Sequence, residues 1–320
     1  MRCLVTGGAG FIGSHLVNSL ESRKSQVRVY DNFSTGSREN LEGFKGKLIE
    51  GDVRDYSSVR AAVRGVDTVF HLAAVGSVVR SIEDPLTTHE VNVSGTLNVL
   101  EACRQEGVRK IVFASSSAVY GDLPALPKHE NAKPSPQSTY AVSKLAAELY
   151  CRVFLRNYGS DTSCLRFFNV FGPRQSPESE YAAVIPSFIN AALQGDSPVI
   201  YGDGTQSRDF TYVDNAVVAM MLAAGVRGSV GLIANVACGT RYSLLEMIGE
   251  IESLVGHRIT PIFKDPRPGD VKHSQAAIGR ARCTLGYVPR VGLRPGLEAT
   301  INWFQNEKNT SGRVVRQQVG

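Results

Sequence analysis

Tyr140 and Lys144 stand four residues apart at the head of a stretch patterned as a helix, so their side chains share one face. A phenol with an ordinary pKa near ~10 is a poor base at neutral pH. An ammonium beside it, helped by any further positive charge, favours the phenolate and brings it toward working range. Upstream, Ser115, Ser116 and Ser117 end the apolar run in KIVFASSSAVYG. Hydroxyls at the carboxyl end of a sheet strand face the crevice in which open α/β sheets bind ligands. Phenol, ammonium and hydroxyl together make a proton-transfer set for an alcohol or a carbonyl. Each also has a plainer reading, as a surface pair or a polar strand end.

A second set surrounds the first strand. TGGAGFIGSHL follows RCLVT directly and opens a helix. Gly8-x-Gly10-x-x-Gly13 and Gly7-x-x-Gly10-x-x-Gly13 both satisfy the dinucleotide fingerprint. Missing Cβ atoms allow a tight turn and close backbone approach to a pyrophosphate, whose charge rests on the helix N-terminus. Asp31 ends the second strand, where a carboxylate accepts hydrogen bonds from ribose hydroxyls and repels a 2′-phosphate. NAD is therefore expected rather than NADP. Asp52 ends the third strand within reach of an adenine amino group, and Leu72-Ala73-Ala74 ends the fourth with residues small enough for backbone to pass a cofactor.

These residues need a frame, and the chain alternates accordingly. Apolar or β-branched runs at 2–6, 27–31, 47–51, 67–73, 110–115 and 163–168 read as strands buried on both faces. Helical stretches at 11–23, 57–64, 85–106 and 138–158 separate them. That rhythm predicts an α/β fold, a doubly wound parallel sheet of Rossmann type. Beyond about residue 170 come Pro/Gly-punctuated segments, with helical stretches at 181–194, 213–224, 243–254 and 294–306. We expect a cofactor domain over 1–170, joined by a returning segment near 209–240, and a smaller α/β substrate domain over 171–320. Its polar end, from about 309, reads as a frayed tail.

Among the 320 residues, basic groups exceed acidic ones by five without clustering, so neither nucleic acid nor a membrane surface is an expected partner. Six scattered cysteines and six dispersed histidines show no metal-ligand spacing, and no metal is expected. No apolar run suits a membrane span and the start lacks a signal-peptide pattern, which makes the cytoplasm the expected compartment.

Gly7-x-x-Gly10-x-x-Gly13, Asp31-Asn32, Asp52-Val53, His71-Leu72-Ala73-Ala74, Asn92, the serine run with Val119-Tyr120-Gly121, and Tyr140-x-x-x-Lys144 resemble the extended short-chain dehydrogenase/reductase family. The nucleotide-sugar 4-epimerases are the most similar group. The likeness continues in Arg166-Phe167-Phe168-Asn169-Val170-Phe171-Gly172-Pro173-Arg174, Gly202-Asp203-Gly204, Ser207-Arg208-Asp209-Phe210 and Arg267-Pro268-Gly269-Asp270. It implies catalysis by Ser116, Tyr140 and Lys144 with tightly bound NAD regenerated at each turnover. Implied cofactor contacts are Gly7, Gly10, Phe11, Ile12, Gly13, Asp31, Asn32, Ser34, Thr35, Gly36, Asp52, Val53, Leu72, Ala73, Ala74, Asn92, Ser115 and Phe167, besides Tyr140 and Lys144. For a UDP-sugar it implies Asn169, Arg208 and Arg267 around the UDP moiety, where two guanidinium forks suit a diphosphate. Ser77, Arg80, Ser117, Ala183, Val184, Tyr201, Asp270 and Ser274 complete the implied substrate site.

Related 4,6-dehydratases carry an Asp-Glu pair where Ser117 and Ala118 stand, and similar decarboxylases carry Glu at Ala118. Neither carboxylate is here, which leaves hydride removal and return, the chemistry of an epimerase. Phe167 and Ala277 depart from the family, which often has Tyr and a helix-starting Asp there. A small residue at Ser274 goes with acceptance of a 2-acetamido group, and serine also suits a helix start. UDP-N-acetylglucosamine and UDP-N-acetylgalactosamine, with UDP-glucose and UDP-galactose, are the expected substrates. UDP-glucuronate, another NAD-dependent nucleotide-sugar reaction, a dehydrogenase releasing NADH and a non-catalytic NAD-binding regulator are the alternatives. The resemblance also implies a homodimer formed through the helices near 85–106 and 138–158.

Overall fold

The apolar runs of the first half become strands because both-sided burial satisfies consecutive Val, Ile, Leu and Phe, except the run at 47–51, which forms the sheet's edge strand and stays largely exposed instead of buried on both faces. In the computed structural model, which describes residues 1–176, 184–266 and 271–317, they are β1 (Arg2–Thr6), β2 (Gln26–Asp31), β3 (Lys47–Glu50), β4 (Thr68–His71), β5 (Lys110–Ser116) and β6 (Thr162–Phe167). Between them run α1 (Phe11–Ser22), α2 (Tyr56–Val63), α3 (Val78–Glu83), α4 (Pro85–His89), α5 (Gly95–Gln105) and α6 (Thr139–Tyr158). The second half contributes β7 (Val170–Phe171), α7 (Val184–Gln194), β8 (Val199–Tyr201), β9 (Ser207–Arg208), β10 (Thr211–Tyr212), α8 (Val213–Gly225) and β11 (Ile233–Val236). It closes with β12 (Tyr242–Ser243), α9 (Leu244–Val255), β13 (Ile262–Lys264), α10 (Gly279–Leu285) and α11 (Leu293–Gln317).

Seven parallel strands form one sheet in the order β11-β6-β5-β4-β1-β2-β3. One face packs Leu16 and Leu20 of α1 against Ala216, Met220 and Ala223 of α8. The other packs α2, α5 and α6 through Val59, Val99, Leu100, Ala147 and Phe154. A further core gathers Phe188 and Ile189 of α7, Met247 and Ile248 of α9, and Leu297 and Phe304 of α11. All strands run one way, so β1, β2, β4, β5 and β6 carry their carboxyl ends, and the expected chemistry with them, to one edge.

Three sequence expectations change. Residues 85–106 are not one helix: a π-helical turn, Glu90–Ser94, separates α4 from α5. There the Asn92 amide turns inward, accepting from Val75 N at 2.8 Å and donating to Val75 O at 3.1 Å. Thr96 Oγ1 donates back to Asn92 O at 2.6 Å, and such bonds accompany a widened turn. Second, α3 was not anticipated, because it is a short helix started by Ser77, whose side chain accepts from Arg80 N. Third, α11 continues to Gln317, through the stretch read as a tail, since a started helix propagates without an apolar period. The helix expected from 181 begins at Val184, with 181–183 outside the described residues.

His71 is closed into this sheet. Its Nδ1 lies 2.7 Å from Thr6 Oγ1 and its Nε2 3.0 Å from Thr96 Oγ1. Burial, with Lys144 nearby, pushes its pKa down from 6.5 to about 3. An unfolded chain takes up this proton below pH 6.5 while the folded chain refuses it, so stability must fall as pH drops from there toward 3. One such group contributes at most ~1.4 kcal/mol per pH unit. His71→Gln should therefore flatten the acid side of the stability profile, read from urea midpoints at several pH values below neutrality. An unchanged slope would place the acid sensitivity elsewhere.

Candidate active site

At the carboxyl edge lies a cavity of about 1210 Å³, walled by the glycine turn, the ends of β2, β4, β5 and β6, and α6. Its rim begins where backbones nearly touch. Gly7 has φ +70°, and a Cβ on it would lie 2.7 Å from Ala73 N. A Cβ on Gly13 would lie 2.1 Å from Gly7 O. Helix α1 then starts at an N-cap glycine, Gly10, with no side-chain cap, leaving its first N–H groups for an anion. Asp31, 7% exposed, accepts from Ala9 N and Phe33 N at 2.9 Å each and lines the cavity. A bare helix start for a pyrophosphate and a carboxylate for ribose hydroxyls fit NAD.

Most expected cofactor residues share this wall: Gly7, Gly10, Phe11, Ile12, Gly13, Asp31, Asn32, Ser34, Thr35, Val53, Leu72, Ala73, Ala74, Ser115, Tyr140, Lys144 and Phe167. Three do not. Asp52 is bound by Arg54 (2.8 Å) and Asn32 Nδ2 (2.9 Å), and the Arg54 hydrogen bonds hold its pKa down at about 2. Asn92 is buried behind the wall, linking Val75 to Ser143 Oγ at 2.9 Å. Gly36 packs against the Ala9 backbone.

The proton-transfer set converges. Ser138 caps α6 by accepting from Ala141 N, and Ser81 Oγ accepts from Tyr140 N at 3.0 Å, which fixes the first turn. Ser116 Oγ accepts from Ala118 N at 3.1 Å and lies near enough to the Tyr140 phenol to act on its pKa. Lys144, 4% exposed, donates to Ala114 O at 2.9 Å, with Nζ 5.8 Å from the Tyr140 ring centroid. Burial lowers the Lys144 pKa to about 8, with Glu148 opposing. Burial also raises the Tyr140 phenol above its ordinary value, with Ser116 opposing. The expected lowering of the phenol by Lys144 is thus not what governs the protein by itself, because desolvation outweighs it and the ammonium is engaged with a carbonyl.

A neighbouring cleft of about 580 Å³ shares Asn169, Val170 and Arg208 with the larger cavity. Val184 and Tyr201 line this cleft; Ser77, Arg80, Ser117 and Ser274 line the larger one. Ala183, Arg267 and Asp270 lie outside the described residues. Ser274 does not start a helix. It lies in an extended segment held by backbone bonds on both sides: Ser274 N to Ser207 O (2.9 Å), Lys128 N to Gln275 O (2.7 Å) and Ala277 N to Lys128 O (2.9 Å). Asp209, fully buried, secures the segment further by accepting from Ala276, Cys238 and Gly239 N. Helix α10 begins with no side-chain cap because its N-cap is Ile278, and Ala277 stands one residue before that position. Sequence reasoning missed Arg54, Lys128, Glu148 and the role of Arg166. Only Glu148 had a signal, one helical turn after Lys144.

Fold and site together define an NAD-dependent enzyme of the extended short-chain dehydrogenase/reductase class. Residues 3–237 match the NAD dependent epimerase/dehydratase family, and the chain belongs to it. A putative UDP-glucose 4-epimerase of Methanocaldococcus jannaschii is 38% identical over 309 residues, covering 96% of this chain and 99% of that one. The structure of a UDP-N-acetylglucosamine 4-epimerase from Methanobrevibacter ruminantium M1, in complex with UDP-N-acetylmuramic acid, is 40% identical with TM-score 0.92, covering 96% and 98%. That of a Thermus thermophilus UDP-glucose 4-epimerase with NAD is 39% identical with TM-score 0.88, covering 95% and 99%.

Two variants test the geometry. Gly13→Ala forces its methyl against Gly7 O, so thermal scans should show a lower Tm and the purified protein should carry less NAD. Tyr140→Phe should lower kcat by ~10² or more while retaining fold and NAD, the usual range for a lost general acid/base. Near-normal turnover would remove Tyr140 from the chemistry.

Proposed function

We propose that this NAD-dependent nucleotide-sugar epimerase inverts C4 of UDP-hexoses and accepts a 2-acetamido group, turning over UDP-N-acetylglucosamine/UDP-N-acetylgalactosamine as well as UDP-glucose/UDP-galactose. The observation that carries this reading is Ser274, a small side chain in the wall of the catalytic cavity, 8% exposed, on a segment that no helix claims. The cleft beside Asn169 and Arg208 takes the UDP moiety, with its diphosphate against the Arg208 guanidinium. The segment up to 170, joined by the returning stretch near 209–240 that carries α8 and β11, forms the cofactor domain, and the remainder the substrate domain.

In this mechanism Tyr140 Oη takes the proton from the sugar 4-hydroxyl, and Ser116 Oγ hydrogen-bonds the same oxygen. Bound NAD supplies the acceptor and later the donor of the C4 hydride, and a positive ring charge that favours the phenolate. Lys144 adds its own charge from beneath. The 4-keto sugar, tethered by its diphosphate, turns over within the cavity, and Tyr140 returns the proton to the inverted centre. Ala118 lines the cavity where a dehydratase or decarboxylase needs a carboxylate, so no side chain there removes a second proton.

A hexuronate is the second reading. Lys128, 3% exposed in the cavity wall, has only the Leu123 carbonyl as hydrogen-bond partner of its ammonium among the described residues. The protein also acts as a homodimer in this proposal, since Ile82 and Leu86 (64% and 77% exposed) and Val142, Leu149 and Val153 of α6 form an apolar face.

Product chromatography with UDP-glucose, UDP-N-acetylglucosamine and UDP-glucuronate separates the readings. Both neutral sugars should react, with no accumulation of NADH absorbance. Ser274→Tyr should abolish turnover of the acetylated sugar and spare UDP-glucose; a parallel loss of both would refute the gate, because lost contacts in a roomy pocket discriminate by only ~1–3 kcal/mol. Leu149→Glu should shift the sedimentation coefficient to that of a monomer, and an unaltered coefficient would place the interface elsewhere.

A further inference from the structure

Behind the proton-transfer set lies a charged cluster that the mechanism above does not use. Glu148, on α6 one turn beyond Lys144, is 1% exposed. Its carboxylate accepts from Arg166 Nε at 2.8 Å and Nη2 at 2.6 Å, a bidentate pair. It also accepts from Ser115 Oγ at 2.5 Å. Ser115 and Arg166 are opposite each other in the register of β5 and β6, and the next pair in that register is Ser116 and Phe167. One carboxylate thus binds both strands at the last pair before the catalytic hydroxyl. On the same helix face Lys144 binds Ala114 O, so α6 is attached to three residues at two successive register positions, Ala114 and Ser115 on β5 and Arg166 across on β6. The Arg166 guanidinium lies 4.8 Å from the Tyr120 ring, and Tyr120 closes the turn that follows Ser116. The pair is fully desolvated, with side chains 4% and 2% exposed, and Arg166 Nη1 has no hydrogen-bond partner. A pair kept merely for stability has no need of this arrangement, since apolar residues of similar volume usually serve as well.

We infer that Glu148 is a positioning residue for the proton transfer, fixing α6 against the ends of β5 and β6 so that Tyr140 and Ser116 meet one substrate oxygen with Lys144 behind them, and placing a negative charge one helical turn from Lys144. The inference rests on Tyr140 and Lys144 performing the C4 proton transfer.

The groups facing Lys144 allow few other sources of that charge. Tyr140 and Glu148 share its helix, and His71 on β4 stays neutral. β5 offers a carbonyl and the Phe113 ring, 5.0 Å away. β6 contributes Arg166, which Glu148 neutralises, and the neutral thiol of Cys164; Tyr120 lies beyond the guanidinium. Burial already brings Lys144 down to about 8, and Glu148 works against it. Without Glu148 the bare Arg166 charge pushes the same way as burial. The ammonium is then lost at lower pH, and the high-pH limb of activity must move down.

The test compares wild type, Glu148→Gln and the double variant Glu148→Leu/Arg166→Met, each as the NAD-containing enzyme with NAD content counted. The single variant leaves Arg166 unpaired and is at risk of unfolding, whereas the double variant replaces the pair by apolar volume and keeps the core filled. In both we expect kcat per NAD-containing molecule to fall ~10-fold or more with KM for the UDP-sugar little changed; the high-pH limb should move down by about one unit in Glu148→Gln, where Arg166 stands bare, and by less in the double variant, which loses both charges. A purely structural role predicts otherwise: a folded double variant with wild-type kcat and an unmoved limb, whatever its Tm. That result overturns the inference. Tyr140→Phe separates this failure from failure of the mechanism. If that variant is inactive while the Glu148 variants match wild type, only the positioning role falls; if it remains active, the proton-transfer assignment falls as well.

Discussion

The cofactor site depends on two backbones passing closer than any side chain would allow. Gly7 faces the Leu72–Ala73 peptides across a gap that a single methyl would close, and Thr6 bridges the same gap by accepting from Leu72 N and Ala73 N. That approach brings the ends of β1 and β4 together and sets the angle at which α1 leaves the sheet. Everything a dinucleotide needs then follows from strand direction: a bare helix start, a carboxylate one strand over, and hydroxyls two strands the other way. Shifting any parallel strand by one residue would reverse which face its side chains occupy and dismantle the set.

Electrostatics at the catalytic end are arranged around the cost of burial. Tyr140 and Lys144 are each pushed toward their neutral forms by desolvation. The protein alone therefore holds the phenol protonated, and the base is fully made only when further positive charge arrives beside it.

Much of this was legible in the sequence because it is local. Glycine spacing, Asp31 at a strand end and Tyr140/Lys144 on one face all depend on neighbours within a few residues, and all reached the cavity wall. What was not legible depends on distant contacts. Asn92 looks like a cofactor ligand by motif, yet its amide is consumed by Val75 and Ser143. The interrupted helix at 90–94 arises from an inward-turned side chain, which apolar periodicity does not encode. Ser274 carries the N-cap preference of serine, and only the strand-like pairing with Ser207 shows that it has no helix to cap.

The segment from 272 to 277 is held by main-chain bonds to Lys128 and Ser207 and by the Asp209 carboxylate gripping Ala276 N. None of those anchors uses the side chain at 274. The pocket-facing residue can therefore be exchanged without loosening its own support, as a tool bit changes while the chuck stays fixed. A single substitution at this point reshapes the cavity wall with no compensating change in the rest of the fold.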